Sequence, residues 1–227
     1  MILTVRILAF DGNDQLDVTG PYEVLTRAAQ ILAENERPLG LDVQIVATPD
    51  SVATPDRVTS GGFGFATTQP WDPGAAPDVL VIPGGTREPR PDEPFTGTPQ
   101  FHAAIRAQFE ARRRIASVCI GAFGVAGACG DLIVNRHMTT HPAFWRQLRD
   151  TYGVDALDPE LERVVDAGTI VSCGGVTAGI DLALYLLGTY WGDAPFAQDG
   201  GPPQTLEAHV RDFIDYHYVA TASVYPS

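Results

Sequence analysis

The stretch RRIASVCIGAFGVAGACG, residues 113–130, passes from charged to apolar to small residues and carries one cysteine at the junction. Its apolar part predicts a strand over Arg114–Val118, and the residues after it predict a helix over Phe123–Cys129. A sharp turn from strand to helix strains the backbone at the junction and needs small neighbours such as Gly121. The pattern therefore predicts a nucleophile elbow at Cys119, where the N–H groups and dipole of a helix N-terminus favour a thiolate.

Strand patterns alternate with helix patterns along the rest of the chain. The predicted elements are strands over Ile2–Phe10, Leu41–Ala47 and Asp78–Ile82, helices over Pro99–Arg113 and Val176–Trp191, and a hairpin over Arg163–Val171 that turns at 166–168. The first helix is predicted to have Pro21 in its first turn, where proline is favoured. Such alternation predicts βαβ units, and so a three-layer α/β/α sandwich with a mostly parallel central sheet.

Two proline-rich stretches interrupt this alternation, Arg87–Gln100 and Trp191–Gln204. Core-forming sequence lies on both sides of each, so we predict ordered loops or lids rather than linkers. A chain of 227 residues can bury a full α/β core, and residues 1–227 are expected to form a single domain.

Composition excludes several classes of protein. Fifteen basic against 28 acidic residues give a net charge of −13, which argues against binding to nucleic acid or to an anionic membrane surface. No apolar run approaches the roughly 20 residues of a membrane helix, and no signal segment precedes the first strand. The three cysteines have no CxxC spacing, which argues against a disulfide framework or a zinc site. We expect a cytoplasmic protein with reduced thiols.

Asp17 is the candidate acid. We place it in a loop just before the first helix, at the sheet edge where Cys119 is also expected. A carboxyl group beside a reactive sulfur can hold or relay a proton if burial and a neighbouring thiolate raise its pKa. The alternative is a simple helix cap or first-turn acid, which this position also favours.

Gly84 and Gly85 follow the predicted buried strand Asp78–Ile82. Their N–H groups, together with that of Ile120, could form an oxyanion hole, which needs donors rather than side chains. The alternative is a turn that merely ends the strand. His141 could activate the thiol as a base or only line the pocket.

Other candidate residues have structural interpretations. Cys129 is predicted to be buried in a helix, and Cys173 at a strand end is also predicted to be structural, although it could border the pocket. The last helix carries four possible metal ligands, but it also carries an apolar stripe, and no further ligand cluster accompanies it. We therefore predict an amphipathic helix and no metal site. The ligand types are His209, Asp212, Asp215 and His217, and the stripe is Leu206, Val210, Phe213 and Ile214.

The segments VLVIPGGT, SVCIGAFGVAGA, TTHPAF and GGVTAGIDLAL, in this order, resemble the DJ-1/PfpI superfamily. The segment QLDVTGPYEVL, residues 15–25, is most similar to the isonitrile hydratase branch of this superfamily. The resemblance to the superfamily runs from about Val5 to about Tyr190. It implies a flavodoxin-like fold, a cofactor-free enzyme, a homodimer, and Cys119 and Asp17 as nucleophile and acid. The protease-like branch has histidine after the nucleophile and the hydratases usually have threonine, whereas this chain has Ile120.

This resemblance implies that Cys119 attacks the terminal carbon of an isonitrile and that water then releases an N-substituted formamide from the thioimidate. Two other functions stay open at this point. One is glyoxalase-like hydration of α-oxoaldehydes, because Ile120 and the loop Arg87–Gln100 could reshape the pocket. The other is a non-enzymatic sensor in which Cys119 is oxidised to a sulfinic acid.

Overall fold

A seven-stranded sheet forms the centre of the protein, in the order β11-β9-β10-β6-β5-β1-β2. It was obtained as a computed structural model, which describes residues 1–54, 56–85, 97–192, 204–218 and 222–225. The strands are β1 (Ile2–Leu8), β2 (Gly40–Val46), β3 (Arg57–Ser60), β4 (Phe63–Ala66), β5 (Val79–Ile82), β6 (Arg114–Ser117), β7 (His137–Met138), β8 (Asp155–Ala156), β9 (Val164–Ala167), β10 (Ile170–Cys173) and β11 (Ala222–Val224). The helices are α1 (Gln15–Glu34), α2 (Pro99–Glu110), α3 (Gly121–Cys129), α4 (Trp145–Tyr152), α5 (Ala178–Trp191) and α6 (Leu206–Phe213), and Gly130–Ile133 is a 3₁₀ turn.

The predicted three-layer α/β/α sandwich is confirmed. Strands β2, β1, β5, β6 and β10 run parallel to one another, while β9 runs antiparallel to β10. Helices α1, α5 and α6 pack together in one outer layer, and α2, α3 and α4 pack together in the other. Strand β5 is buried at every position, as expected for a parallel strand that is covered on both faces.

The first helix begins earlier than predicted. Asp14 is its N-cap, with a carboxylate that accepts a hydrogen bond from the Leu16 N–H, so the helix starts at Gln15 and Pro21 lies inside it. The cap outweighs the preference of proline for a first turn. The Pro21 ring packs against Gly179 of α5, where α1 and α5 meet. Asp17 consequently lies in the first turn of α1 and not in a loop before it.

The chain also forms elements that the alternation pattern did not predict. A hairpin pairs β3 with β4 through Gly61 and Gly62, which both have positive φ angles. The short pair β7 and β8, helix α4 and strand β11 were likewise missed. The prediction of an apolar stripe on α6 is only partly correct, because Leu206 and Val210 are buried whereas Phe213 is 55% exposed.

The two proline-rich stretches lie mostly outside the described residues. Pro99 and Gln100, at the end of the first stretch, already belong to helix α2. Among the described residues, no helix is both long and apolar enough to cross a membrane.

Gly121 determines how closely helix α3 approaches the sheet. A Cβ atom at this position would overlap the carbonyl oxygen of Ile82 and crowd Pro83. We expect Gly121→Ala to lower the free energy of unfolding by about 3 kcal/mol, since backbone atoms must move to make room. Urea denaturation measures the change.

Gly188 provides a matched control in helix α5, since a Cβ there meets no atom within 4 Å. Gly188→Ala should raise the free energy of unfolding by about 0.5–1 kcal/mol, because alanine is the better helix former. Equal effects of the two substitutions would show that Gly121 is not required for the close approach of α3.

Candidate active site

Cys119 occupies the predicted elbow between β6 and α3. Its φ angle is +55°, a left-handed conformation that is uncommon for a residue with a side chain. Two hydrogen bonds hold its backbone in place: its N–H donates to the Gly174 carbonyl over 3.0 Å, and the Thr140 hydroxyl donates to its carbonyl over 2.7 Å. The residue is only 5% exposed. Strain of this kind, retained by surrounding bonds, is typical of a functional position.

Four neighbouring strands bring the candidate residues to one edge of the sheet. Strands β10, β6, β5 and β1 are adjacent and parallel, so their carboxyl ends meet there. Strand β6 leads to Cys119, β5 leads to Gly84, and β10 leads to the turn that contains Val176. Strand β1 leads through a short loop to Asp17 in the first turn of α1.

Asp17 is fully buried and faces this junction. Its Oδ2 atom accepts a hydrogen bond of 2.8 Å from the Gly84 N–H. Its Oδ1 atom has no hydrogen-bond partner of normal geometry, although the Cys119 thiol is near enough to interact with the carboxyl group. A buried carboxyl oxygen without a partner, beside a thiol, is available to exchange a proton with a reacting molecule.

Burial changes the protonation of both groups. It raises the pKa of the Asp17 carboxyl from its ordinary value of 3.8 to about 8, although the Gly84 N–H opposes the rise. Burial, and then the charge of Asp17, raises the pKa of the Cys119 thiol to about 12. Burial therefore opposes the thiolate that the N–H donors favour, because a charged sulfur loses hydration at this position. Burial thus favours the neutral form of both groups.

The N–H donors differ in part from those predicted. The N–H groups of Val176 and Ile120 interact with the Cys119 sulfur and lower its pKa. The Gly84 N–H is not a free donor, because it is bonded to Asp17. Gly85 pairs with Asn13 in an isolated bridge. Donors near the sulfur stabilise negative charge on it, so this arrangement favours sulfur as an attacking and leaving group.

His141 lies beside the site and supports one of its turns. Its Nδ1 atom accepts a hydrogen bond from the Ala143 N–H, and its ring lies directly against Gly175. Gly175 precedes Val176, which is one of the two donors to the sulfur. This geometry favours the interpretation of His141 as a pocket residue over that of a base.

Sequence reasoning missed Val176 and Thr140 as site residues. Both lie in segments that were already marked by the motifs GGVTAG and TTHPAF. Their contributions are a backbone N–H and a hydroxyl bonded to a backbone carbonyl, and neither produces a recognisable side-chain pattern. Position in the fold reveals them, since both follow strands that end near the elbow.

The other candidates from the sequence are two cysteines and a set of possible metal ligands, and none of them belongs to the reacting pair. Cys129 is buried at the far end of α3, while Cys173 is fully buried on β10 and close enough to Cys119 for the two thiols to interact. Burial raises the pKa of both. The described residues hold no cluster of three or more histidine, cysteine, aspartate or glutamate side chains placed to bind a metal ion.

Comparison with known proteins agrees with this geometry. The model of the DJ-1/PfpI family matches residues 3–189, and so includes the elbow, Asp17 and the Val176 turn. The chain belongs to the DJ-1/PfpI family. Isonitrile hydratase from Pseudomonas putida is 34% identical over 187 residues, which cover 82% of this chain and 71% of that enzyme. An uncharacterised protein from Streptomyces lividans is 38% identical over 138 residues, which cover 60% of this chain and 86% of that protein.

Solved structures show that the fold is shared widely. DJ-1β from Drosophila melanogaster superposes with a TM-score of 0.67 at 15% identity, covering 96% of this chain and all of that one. An AraC family transcriptional regulator from Pseudomonas putida gives 0.69 at 16% identity, covering 93% of this chain and 99% of that one. These matches show the DJ-1 type of flavodoxin-like fold. They do not identify the activity, which has to be inferred from the site.

Asp17 should make stability fall as pH rises. The folded protein keeps the proton on this carboxyl up to about pH 8, whereas the unfolded chain loses it near 3.8, so unfolding releases a proton between these values. Relative to Asp17→Asn, the wild-type free energy of unfolding should fall by about 1.4 kcal/mol per pH unit between pH 5 and pH 7. Urea denaturation at several pH values measures this difference.

Asp14→Asn is the matched control, because asparagine keeps an acceptor at the N-cap while the neighbouring Asp17 still titrates. It should retain the pH dependence of the wild type. If the wild type and Asp17→Asn show the same dependence, Asp17 is already ionised in the folded protein and the neutral-acid assignment fails.

Proposed function

We propose that this protein is a cofactor-free, cysteine-dependent hydratase that converts isonitriles to N-substituted formamides. The observation that carries the proposal is the buried pair formed by the Cys119 thiol at the elbow and the Asp17 carboxyl that the Gly84 N–H holds beside it. The similarity to isonitrile hydratase from Pseudomonas putida supports the substrate class.

An isonitrile suits a protonated pair because its terminal carbon accepts a proton and a nucleophile at the same atom. In the first step Asp17 delivers a proton to that carbon, the Cys119 sulfur bonds to it, and the thiol proton passes back to Asp17. The net change adds S–H across the carbon and gives a thioimidate, R–N=CH–S–Cys119. The unpartnered Oδ1 of Asp17 is the oxygen available for this exchange.

Water completes the reaction in the second step. Its oxygen bonds to the thioimidate carbon while the nitrogen takes up a proton, giving R–NH–CH(OH)–S–Cys119. The C–S bond then breaks as the carbonyl forms, the sulfur recovers a proton, and R–NH–CHO leaves. The N–H groups of Val176 and Ile120 stabilise the departing sulfur, where negative charge develops. Asp17 relays the protons in both directions.

The expected partners follow from this proposal. The substrate is a small molecule that reaches the edge formed by the carboxyl ends of β1, β5, β6 and β10. Assembly as a homodimer and a cytoplasmic location stay predictions. His141 and Gly85 are proposed to line the pocket, since both lie next to residues that contact the reacting pair.

Cys119→Ala should reduce formamide production from a panel of organic isonitriles to the uncatalysed rate, because the proposed thioimidate forms on the Cys119 sulfur. Cys129→Ala is the control for loss of a cysteine and should keep wild-type turnover, since Cys129 lies at the other end of α3. Chromatographic detection of the formamide measures both.

Methylglyoxal and simple nitriles belong in the same panel. Lactate from methylglyoxal without formamide from any isonitrile would overturn the hydratase proposal in favour of α-oxoaldehyde hydration. Equal isonitrile turnover by the wild type and Cys119→Ala would overturn the role of the thiol itself.

Asp17→Asn should lower kcat for isonitrile hydration by about 100-fold or more, since an amide keeps the bond to Gly84 but cannot transfer the proton. Asp14→Asn is again the control and should stay within about threefold of the wild type, since asparagine keeps an acceptor for the Leu16 N–H and leaves Asp17 in place to transfer the proton. Wild-type turnover by Asp17→Asn would refute the acid role.

A further inference from the structure

Thr140 is fully buried directly behind the elbow, and its hydroxyl donates to the carbonyl oxygen of Cys119 over 2.7 Å. The Ala122 N–H in the first turn of α3 also reaches this carbonyl, but only at 3.5 Å. Thr140 is therefore the principal partner of that oxygen.

The hydrogen bond from Thr140 also determines the direction of the next N–H group in the chain, that of Ile120. The peptide between Cys119 and Ile120 is trans and planar, so its C=O and N–H point in opposite directions. A hydroxyl that fixes the carbonyl on one side therefore fixes the Ile120 N–H on the other. That N–H faces the Cys119 sulfur.

The elbow needs such a restraint because of its backbone conformation. A non-glycine residue with φ of +55° is strained and persists only where its surroundings hold it. The Cys119 N–H is held by the Gly174 carbonyl at 3.0 Å, which secures the peptide before the cysteine. Thr140 secures the peptide after it.

The segment that carries Thr140 is itself well anchored. The Thr139 N–H donates to the Ser172 hydroxyl on β10 over 2.8 Å, and the Thr139 hydroxyl donates to the Leu157 carbonyl over 3.1 Å. Both threonines are fully buried, yet only the Thr140 hydroxyl is directed to the elbow. The chain thus contains two adjacent threonines with different tasks.

We propose that Thr140 is a positioning residue that orients the Cys119–Ile120 peptide, and thereby keeps an N–H donor on the reacting sulfur. The role rests on the proposed function in so far as Cys119 is the nucleophile. It assigns to Thr140 an effect on the reactivity of the sulfur that acts through the backbone and not through contact with the substrate. The titratable groups that face Cys119 are Asp17, Asp14 and Cys173. Thr140 differs from them because its hydroxyl donates a hydrogen bond to the Cys119 carbonyl.

The test measures the reactivity of Cys119 without any substrate. Iodoacetamide labels the folded protein across a range of pH, and mass spectrometry follows the peptide that contains Cys119. Thr140→Val removes the hydroxyl and keeps the shape, so labelling at a given pH should slow about tenfold, with a higher apparent pKa of the thiol. Thr140→Ser keeps the hydroxyl and should restore labelling to within about twofold of the wild type.

Thr139→Val is the matched control, because it removes a buried hydroxyl that is bonded to Leu157 and keeps the Thr139 N–H bond to Ser172 that anchors the segment. It should lower stability while Cys119 labels at the wild-type rate. If Thr140→Val does not fold, Thr140→Ala removes the same hydroxyl without adding bulk. Wild-type labelling in the variant that lacks the Thr140 hydroxyl, or equal slowing in Thr139→Val, would overturn the proposal.

Isonitrile turnover separates this proposal from the function on which it rests. Thr140→Val should lower kcat about tenfold and leave KM within about twofold, because the lost donor acts on the sulfur and not on substrate binding. If the wild type makes no formamide while Thr140→Val still slows labelling, the substrate assignment fails and the positioning role stands. If formamide forms and labelling is unchanged, the positioning role fails alone.

Discussion

The hydrogen bond from the Gly84 N–H to Asp17 Oδ2 joins the first turn of α1 to the end of β5, and the chemistry of the site depends on it. It holds a carboxyl group where water does not reach, so that burial keeps the group protonated near neutral pH. It also explains why no Cβ fits at Gly84, since one would overlap both Asp17 and Ile120. A glycine here serves to bring two backbones and a carboxyl together.

The sequence was sufficient to predict the parallel sheet and the elbow at Cys119, because both depend on local patterns, and the proximity of Asp17 follows from the sheet itself. Apolar runs ending in glycine mark strand ends, and the carboxyl ends of parallel strands converge regardless of the details of the loops. The start of α1 was misplaced because proline dominated the prediction, although Asp14 supplied a capping signal. The β3–β4 hairpin was missed although Gly61-Gly62 is a turn signal.

What the sequence could not show depends on contacts between distant segments. The bond from Thr140 to Cys119 and the donation from Val176 join parts of the chain that follow different strands. The pKa of the Cys119 thiol likewise depends on packing as well as on local sequence. A helix N-terminus is visible in a sequence, whereas the degree of burial that opposes it is a property of the packed molecule.

Ile120 acquires a physical role from this arrangement. Its side chain is 2% exposed and lies against Gly84, the residue that holds Asp17. An apolar group there keeps water from the carboxyl and so helps to hold the proton on it, whereas a hydroxyl would offer that carboxyl a hydrogen bond and favour its charged form. Isoleucine at this position thus favours the neutral form of the acid. A neutral acid is what protonation of an isonitrile carbon requires, so isoleucine at this position is compatible with the proposed reaction.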